Sequence, residues 1–128
     1  MRIDYLDHIL ESRPADGVVR IFDFNGLEAR KLETAILQFA AGSTDLDISE
    51  LDFVEPGAPR FVLSIGKSDI GIQKLGSDFL RCSLTKSAFL QMAELVHEYG
   101  RDSSPGGHRY LYDVNNPIDL IMSPSGDW

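Results

Sequence analysis

The chain has 128 residues and a formal net charge of −8 at pH 7, because 20 acidic residues outnumber 12 basic ones. This length, with 43% hydrophobic residues, predicts one globular domain over residues 1–128 that folds without a metal or a disulfide. The negative charge repels a phosphate backbone, so we expect no nucleic acid partner.

Three features of the sequence point to the cytoplasm. Uninterrupted apolar runs fall far short of the roughly 20 residues that cross a bilayer. Asp4 and Asp7 lie where a signal peptide would have its apolar core. The single cysteine, Cys82, has no disulfide partner within the chain. We therefore expect a cytoplasmic protein with no membrane partner.

The first third of the chain predicts a helix, a strand and a second helix. Apolar residues at three- and four-residue intervals predict a short helix over 3–10. The β-branched and aromatic run at 18–24 predicts a strand. A longer helix is predicted over 25–41, because Asn25 can cap its first turn in a capping box with Glu28.

The middle of the chain is typical of short strands. Acidic and apolar residues alternate over 46–55, and a slip in their phase predicts a bulge or an early end to that strand. Three further strands are predicted at 61–65, 71–75 and 79–84, and the turns between them are typical of an antiparallel meander.

The last third predicts a helix followed by two strands. The helix begins after Thr85 and ends at Gly100, and strands follow at 109–114 and 118–123. No internal repeat is visible. The order of elements predicts an α+β fold, with an antiparallel sheet of about five to seven strands and two main helices packed on it.

The residues that most often carry chemistry are few and scattered. His8, His97 and His108 lie in three different predicted elements, and none has a second ligand at a recognised metal spacing. Cys82 shares the apolar face of its predicted strand, which indicates a core residue rather than a nucleophile. We therefore predict no metal site, no cofactor and no catalytic group from motifs.

An acidic run is the first candidate partner-binding feature. It contains five carboxylates within eleven residues and no basic residue: Asp45, Asp47, Glu50, Asp52 and Glu55. Most runs of this kind only keep a surface solvated. The alternative is that the run receives a basic partner, because clustered charge steers association and sets partner choice.

The aromatic end of the chain is the second candidate. His108, Tyr110 and Tyr112 are predicted to share one strand face, and Trp128 ends the sequence. Tyrosine and tryptophan are favoured interface anchors because they cover a large area at a low entropic cost. The ordinary interpretation is that Trp128 packs under the sheet and holds the terminus.

The end of the chain also resembles a group of small, functionally uncharacterised bacterial proteins. The resemblance is carried by the apolar strand 118–122 with the following Ser-x-x-Gly-x-Trp at 123–128, and by segments 51–55 and 79–84. It covers roughly residues 18–128 and implies no site residues. In size, charge and layout the chain also resembles immunity proteins, which neutralise secreted toxins.

Three functions follow as hypotheses. The first is a non-enzymatic cytoplasmic protein-binding domain of immunity type, in which the acidic run meets a basic partner and the C-terminal aromatic residues anchor it. The second is a small enzyme or small-molecule binder that uses His97, His108 or Arg109 with a carboxylate near the loop 101–107. The third is a structural subunit of a homo-oligomer, joined through a strand edge or the C-terminal aromatic residues.

Overall fold

The computed structural model describes residues 1–7, 17–42, 44–101, 107–126 and 128. Within this part of the chain, no helix is long and apolar enough to cross a membrane. The two helices are α1 (Gly26–Ala41) and α2 (Lys86–Tyr99). The strands are β1 (Arg2–Asp7), β2 (Gly17–Phe22), β3 (Leu46–Asp47), β4 (Arg60–Ile65), β5 (Gly71–Gly76), β6 (Phe79–Leu84), β7 (Arg109–Tyr110) and β8 (Ile118–Ser123).

The strands form two four-stranded sheets rather than one antiparallel sheet of five to seven strands. The first sheet has the order β1-β2-β8-β7 and the second has the order β3-β4-β6-β5. In each sheet the two central strands are parallel, and each edge strand is antiparallel to its neighbour. The α+β class with two helices is confirmed, whereas the predicted single antiparallel sheet is wrong.

The predicted meander is wrong for the same reason, since strand order does not follow chain order. β6 carries the buried residues Leu80, Cys82 and Leu84, so it occupies the centre of the second sheet beside β4. β5 has a single buried side chain, that of Ile72, and lies at the sheet edge. The burial of each strand decides its position, and a strand with little apolar surface is left at the edge.

The N-terminal segment is a strand and not the helix predicted over 3–10. β1 pairs antiparallel with β2 along its whole length, from Arg2 opposite Phe22 to Asp7 opposite Gly17. Ile3 points into the core, and residues 8–10 lie outside the described residues. The apolar spacing fits a helix as well as a strand, and the hydrogen bonds offered by β2 select the strand.

The other predicted elements agree with the structure except in length. β3 ends early and gives way to a 3-10 turn at Ile48–Glu50, as the slip in phase predicts. The strand expected over 109–114 is confined to Arg109–Tyr110. Asn25 and Glu28 form the predicted capping box of α1, and the Thr85 side chain caps α2.

The element order β-β-α-β-β occurs twice, which the sequence does not reveal. Strands β1 to β4 surround α1 in the first half, and strands β5 to β8 surround α2 in the second. Each sheet combines one antiparallel strand pair from each half. The registers correspond: Asp4, Arg20, Ile121 and Tyr110 form one row across the first sheet, and Gln73, Arg81, Val62 and Asp47 form the equivalent row across the second.

One core cluster draws on both helices and the inner faces of both sheets. The helices pack on each other, with the rings of Phe39 and Phe89 edge to face at a centroid distance of 4.9 Å. Cys82 lies in this cluster, as predicted. Two buried valines, Val18 and Val62, lie outside it, because they point to the opposite faces of the two sheets. Each sheet therefore has an inner face on the core and an outer face.

Candidate binding surface

The outer face of the first sheet is centred on an arginine held by a carboxylate. Arg20 on β2 donates from Nε to Oδ1 of Asp4 at 2.8 Å and from Nη2 to Oδ2 at 2.5 Å. These hydrogen bonds raise the pKa of the Arg20 guanidinium above its usual value. The paired geometry fixes the guanidinium plane, because two parallel hydrogen bonds fix direction as well as distance.

Two aromatic rings pack against this fixed guanidinium. The Cζ atom of Arg20 lies 5.5 Å from the ring centroid of Phe22 and 5.1 Å from that of Trp128. The Phe22 and Trp128 rings contact each other edge to face at 6.0 Å. Trp128 therefore lies on the outer face and is 43% exposed, rather than packed under the sheet. Cation–π contacts with an arginine of fixed orientation hold the indole in place.

Further apolar side chains extend the same face across the sheet. Leu6 is 45% exposed and Tyr110 is 53% exposed. Tyr110 lies opposite the half-buried Ile121, in the row that contains Arg20. Large exposed apolar side chains grouped on one face are typical of an interaction site, whereas single ones are ordinary.

A polar pocket of about 310 Å³ adjoins this face at the β1 edge. Arg2, Asp4, Phe22 and Glu55 line it, together with residues 56–58. Arg2 Nε lies 3.2 Å from Glu55 Oε2. The pocket gives the apolar face a charged rim on one side.

The face and its rim carry more negative than positive charge. The carboxylates are Asp4, Asp23, Glu55 and Asp119, against the guanidiniums of Arg2 and Arg20. Both guanidiniums already have carboxylate partners, and Asp119 has no ion pair within the described part of the chain. The surface therefore combines exposed aromatic side chains with a net negative charge.

The structure does not gather the acidic run into one patch. Asp47 Oδ1 accepts hydrogen bonds from the Ser49 backbone N–H and hydroxyl, and its Oδ2 lies 3.1 Å from Arg60 Nε. Asp45 accepts a hydrogen bond from a serine of β4, and Glu55 pairs with Arg2. Glu50 and Asp52 are exposed and have no ion pair with any described residue. Of the five, Glu55 alone reaches the rim of the outer face.

Tyr112 lies beyond the strand that carries Tyr110, because β7 ends at Tyr110. The Tyr112 hydroxyl donates to the backbone oxygen of Ile118. Burial raises the pKa of this hydroxyl. Tyr112 and Tyr110 both line a cavity of about 200 Å³ between α2 and the 110–114 segment. The Tyr112 hydroxyl is therefore engaged within the protein, while Tyr110 remains exposed.

The residues of the small-enzyme hypothesis do not converge. His97 Nδ1 lies 3.0 Å from both carboxylate oxygens of Glu33 on the helical surface, while His108 is exposed with its ring against Tyr110. Neither histidine, nor the half-buried Arg109, lines either cavity described above. His8 and residues 102–106 lie outside the described residues. Within the described ranges, no three His, Cys, Asp or Glu side chains group as metal ligands.

Cys82 is unsuited to nucleophilic chemistry in the folded protein. Burial raises the pKa of its thiol to about 12. The thiolate is the reactive form, so the folded protein holds almost none of it at neutral pH.

The sequence pointed to Tyr110 and Trp128 on this face but missed Asp4, Arg20 and Phe22. An arginine in the middle of an apolar strand was the available signal, since it needs a partner across the sheet. Comparisons of the chain with protein families, with curated proteins and with solved structures each returned no match.

Proposed function

We propose that this protein is a non-enzymatic protein-binding domain that holds a basic partner protein on the outer face of the first sheet. The observation that carries the proposal is the exposed group of Leu6, Tyr110 and Trp128 around the fixed Arg20–Asp4 pair. Anchors that are large, apolar and already ordered lose little entropy on binding, and such residues dominate interface energies.

Charge indicates the kind of partner. The face and its rim have a net negative charge, and the whole chain has a formal charge of −8. The electrostatic field of these negative charges accelerates encounter with a positively charged protein and disfavours an acidic one. Asp45, Glu50 and Asp52 lie off the face and contribute to this steering. In the immunity-type form of the proposal, the partner is a basic toxin and the complex forms in the cytoplasm.

A matched pair of variants tests the surface. The face variant carries Tyr110→Ala and Trp128→Ala, and the control carries Leu37→Ala and Leu90→Ala, which remove side chains 42% and 40% exposed on the helices. The wild type, the face variant and the control are each used to capture proteins from a lysate of the source organism at low and high salt. We expect the wild type and the control to retain a basic protein that salt releases. The face variant should bind it at least about 10-fold more weakly.

Other outcomes of that experiment contradict the proposal. Equal retention by the face variant would place the binding site elsewhere. If the protein captures its own chain alone, and light scattering shows a larger particle that the face variant loses, the homo-oligomer hypothesis replaces it. No observation on the described residues favours the small-enzyme hypothesis.

A second pair of variants tests the steering role of the acidic run. Asp45→Asn, Glu50→Gln and Asp52→Asn together should slow association with the captured partner and weaken its salt dependence, with little change in dissociation. Asp47 is left intact because it caps the 3-10 turn and pairs with Arg60. The control replaces Asp78, Glu94 and Asp113, which are exposed elsewhere, by their amides. Equal slowing in both triple variants would show that net charge matters and the run does not.

A further inference from the structure

The outer face of the second sheet carries an arginine that has no hydrogen bond or ion pair with any residue that the structure describes. Arg81 on β6 has a buried Nε atom that makes no hydrogen bond. No ion pair or hydrogen bond joins its terminal nitrogens to any described residue. A buried donor left unsatisfied costs free energy, and the cost is larger when the group is charged. This is unexpected in a chain with 20 acidic residues.

The first sheet shows which chemistry satisfies an arginine at this position. Arg20 occupies the equivalent place in the duplicated topology, and the strand residue opposite it is Asp4, which accepts both of its hydrogen bonds. The residue opposite Arg81 is Gln73, whose side chain makes no hydrogen bond to it. The second half therefore has the same arginine and lacks the carboxylate.

The surroundings of Arg81 favour an anion. The Phe79 ring lies 6.0 Å from the Arg81 Cζ atom and 4.6 Å from that of Arg60, so both guanidiniums lie close to one aromatic side chain. Arg60 pairs with Asp47 and Asp45 accepts a hydrogen bond from Ser64, so Arg81 is the guanidinium of this pair that has no carboxylate beside it among the described residues. A guanidinium packed beside an aromatic ring still presents its N–H edge to a planar carboxylate.

We propose that Arg81, beside Phe79 and Arg60, forms a second binding site that takes the carboxylate side chain of an acidic peptide segment. The bound carboxylate pairs with the terminal nitrogens of Arg81 and supplies the opposite charge that Asp4 supplies to Arg20. One free guanidinium balances one carboxylate charge, so the site suits a glutamate or aspartate better than a phosphate dianion. This site is separate from the proposed partner face on the first sheet and does not depend on it.

The side-chain N–H of Arg81 is the direct probe. In protein labelled with ¹⁵N-arginine, the Nε–H resonances of Arg81, Arg20 and Arg101 are followed during separate additions of tetraglutamate peptide, acetate and inorganic phosphate at constant ionic strength. We expect the Arg81 resonance to shift to saturation with tetraglutamate. The Arg20 resonance should stay fixed, because Asp4 already occupies its donors. Arg101, on the exposed surface, reports non-specific binding.

Two results of the titration would overturn the proposal. One is an Arg81 resonance that moves no more than that of Arg101. The other is saturation by phosphate at lower concentration than by tetraglutamate, which would assign the site to free oxyanions instead.

Substitution of Gln73 tests the same site by supplying Arg81 with a carboxylate from the protein itself. Gln73→Asp places a carboxylate where the first sheet has Asp4, and Gln73→Asn is the uncharged control of the same size. We expect Gln73→Asp to move the free Arg81 resonance toward that of Arg20, to raise the melting temperature, and to weaken tetraglutamate binding at least about 10-fold. Gln73→Asn should bind like the wild type. Undiminished binding by Gln73→Asp would refute the site.

Discussion

In the first sheet, the central arginine of the outer face, Arg20, meets a carboxylate of its own chain across the strand pair. In the second sheet, Arg81 at the equivalent register position meets Gln73 and stays unpaired. The strand order and directions are the same in both sheets, although the β5–β6 pair has a register shift between Lys74 and Gly76 that the β1–β2 pair lacks. One side chain on the edge strand therefore decides whether the arginine has a carboxylate partner across the strand pair.

The two faces also differ in what surrounds the arginine. Arg20 is covered by Trp128 and Phe22, and the residues around it have a net negative charge. Arg81 has Phe79 beside it and a second arginine nearby. The two proposals therefore assign partners of opposite charge to the two outer faces.

The largest expected effect comes from the helices. The side chains at matching positions of the two helices differ in size. Ala29 and Phe89 are each the fourth residue after the helix cap, and both donate to the cap carbonyl. Phe89 is fully buried. We expect Phe89→Ala to lower the free energy of unfolding by roughly 3–5 kcal/mol, because the lost ring leaves a cavity.

Urea unfolding checks this prediction, with the exposed Leu90→Ala as the control. Trp128 fluorescence and helical circular dichroism should give the same midpoint, because each sheet combines strands of both halves. Two separate transitions would show that the halves unfold independently.

The ion pair of the first sheet gives the next largest effect. Asp4→Asn removes the charge that Arg20 binds, and we expect a loss of about 1–2 kcal/mol in the free energy of unfolding. Gln73→Asn at the equivalent position of the second sheet should change it by less than about 0.5 kcal/mol. Thermal unfolding of both variants measures the difference. Equal losses would contradict the distinction drawn between the two arginines.

The helix caps of the two halves should contribute about equally. Asn25 Oδ1 accepts the Glu28 N–H at 2.9 Å, whereas Thr85 Oγ1 accepts the Ala88 N–H at 3.3 Å and also donates to Asp69. We expect Asn25→Ala and Thr85→Ala each to cost about 1 kcal/mol of unfolding free energy. Chemical denaturation resolves a difference of half that size, and a cost confined to one variant would show that one cap is dispensable.

The smallest effect is a dependence on pH at Glu28. Burial acts to raise its pKa, but hydrogen bonds from the N-terminal ammonium and the Asn25 N–H outweigh burial and hold the pKa below the usual 4.5. A lowered folded-state pKa stabilises the protein above the ordinary value, and this contribution is lost as pH falls through the folded pKa. Glu28→Gln should therefore be less stable than the wild type at pH 6, with the gap narrowing below pH about 4.5.

Unfolding curves at several pH values between about 3 and 6 test this prediction. Glu94→Gln is the control, because Glu94 is exposed and makes no ion pair with a described residue. A Glu28→Gln gap that stays constant down to the lowest pH would be inconsistent with the lowered pKa.

Local signals predicted both helices and most strands, but predicted a helix where β1 lies. The capping box at Asn25 and the Thr85 cap placed both helices, because caps depend on residues three or four apart. Residue type alone singled out Tyr110 and Trp128 as anchors. It grouped Tyr112 with them, whereas β7 ends at Tyr110 and the Tyr112 hydroxyl donates to the Ile118 backbone oxygen.

The sequence by itself determined the α+β class, both helices, most strands, the core position of Cys82 and the acidic character of the chain. Only the tertiary structure decided which strands pair, that the β-β-α-β-β unit is duplicated, and that Arg20 has a partner where Arg81 has none. The physical reason is the distance along the chain over which each kind of interaction acts. Caps and alternation act between near neighbours in the chain, whereas sheet pairing joins distant segments through backbone groups that every residue carries.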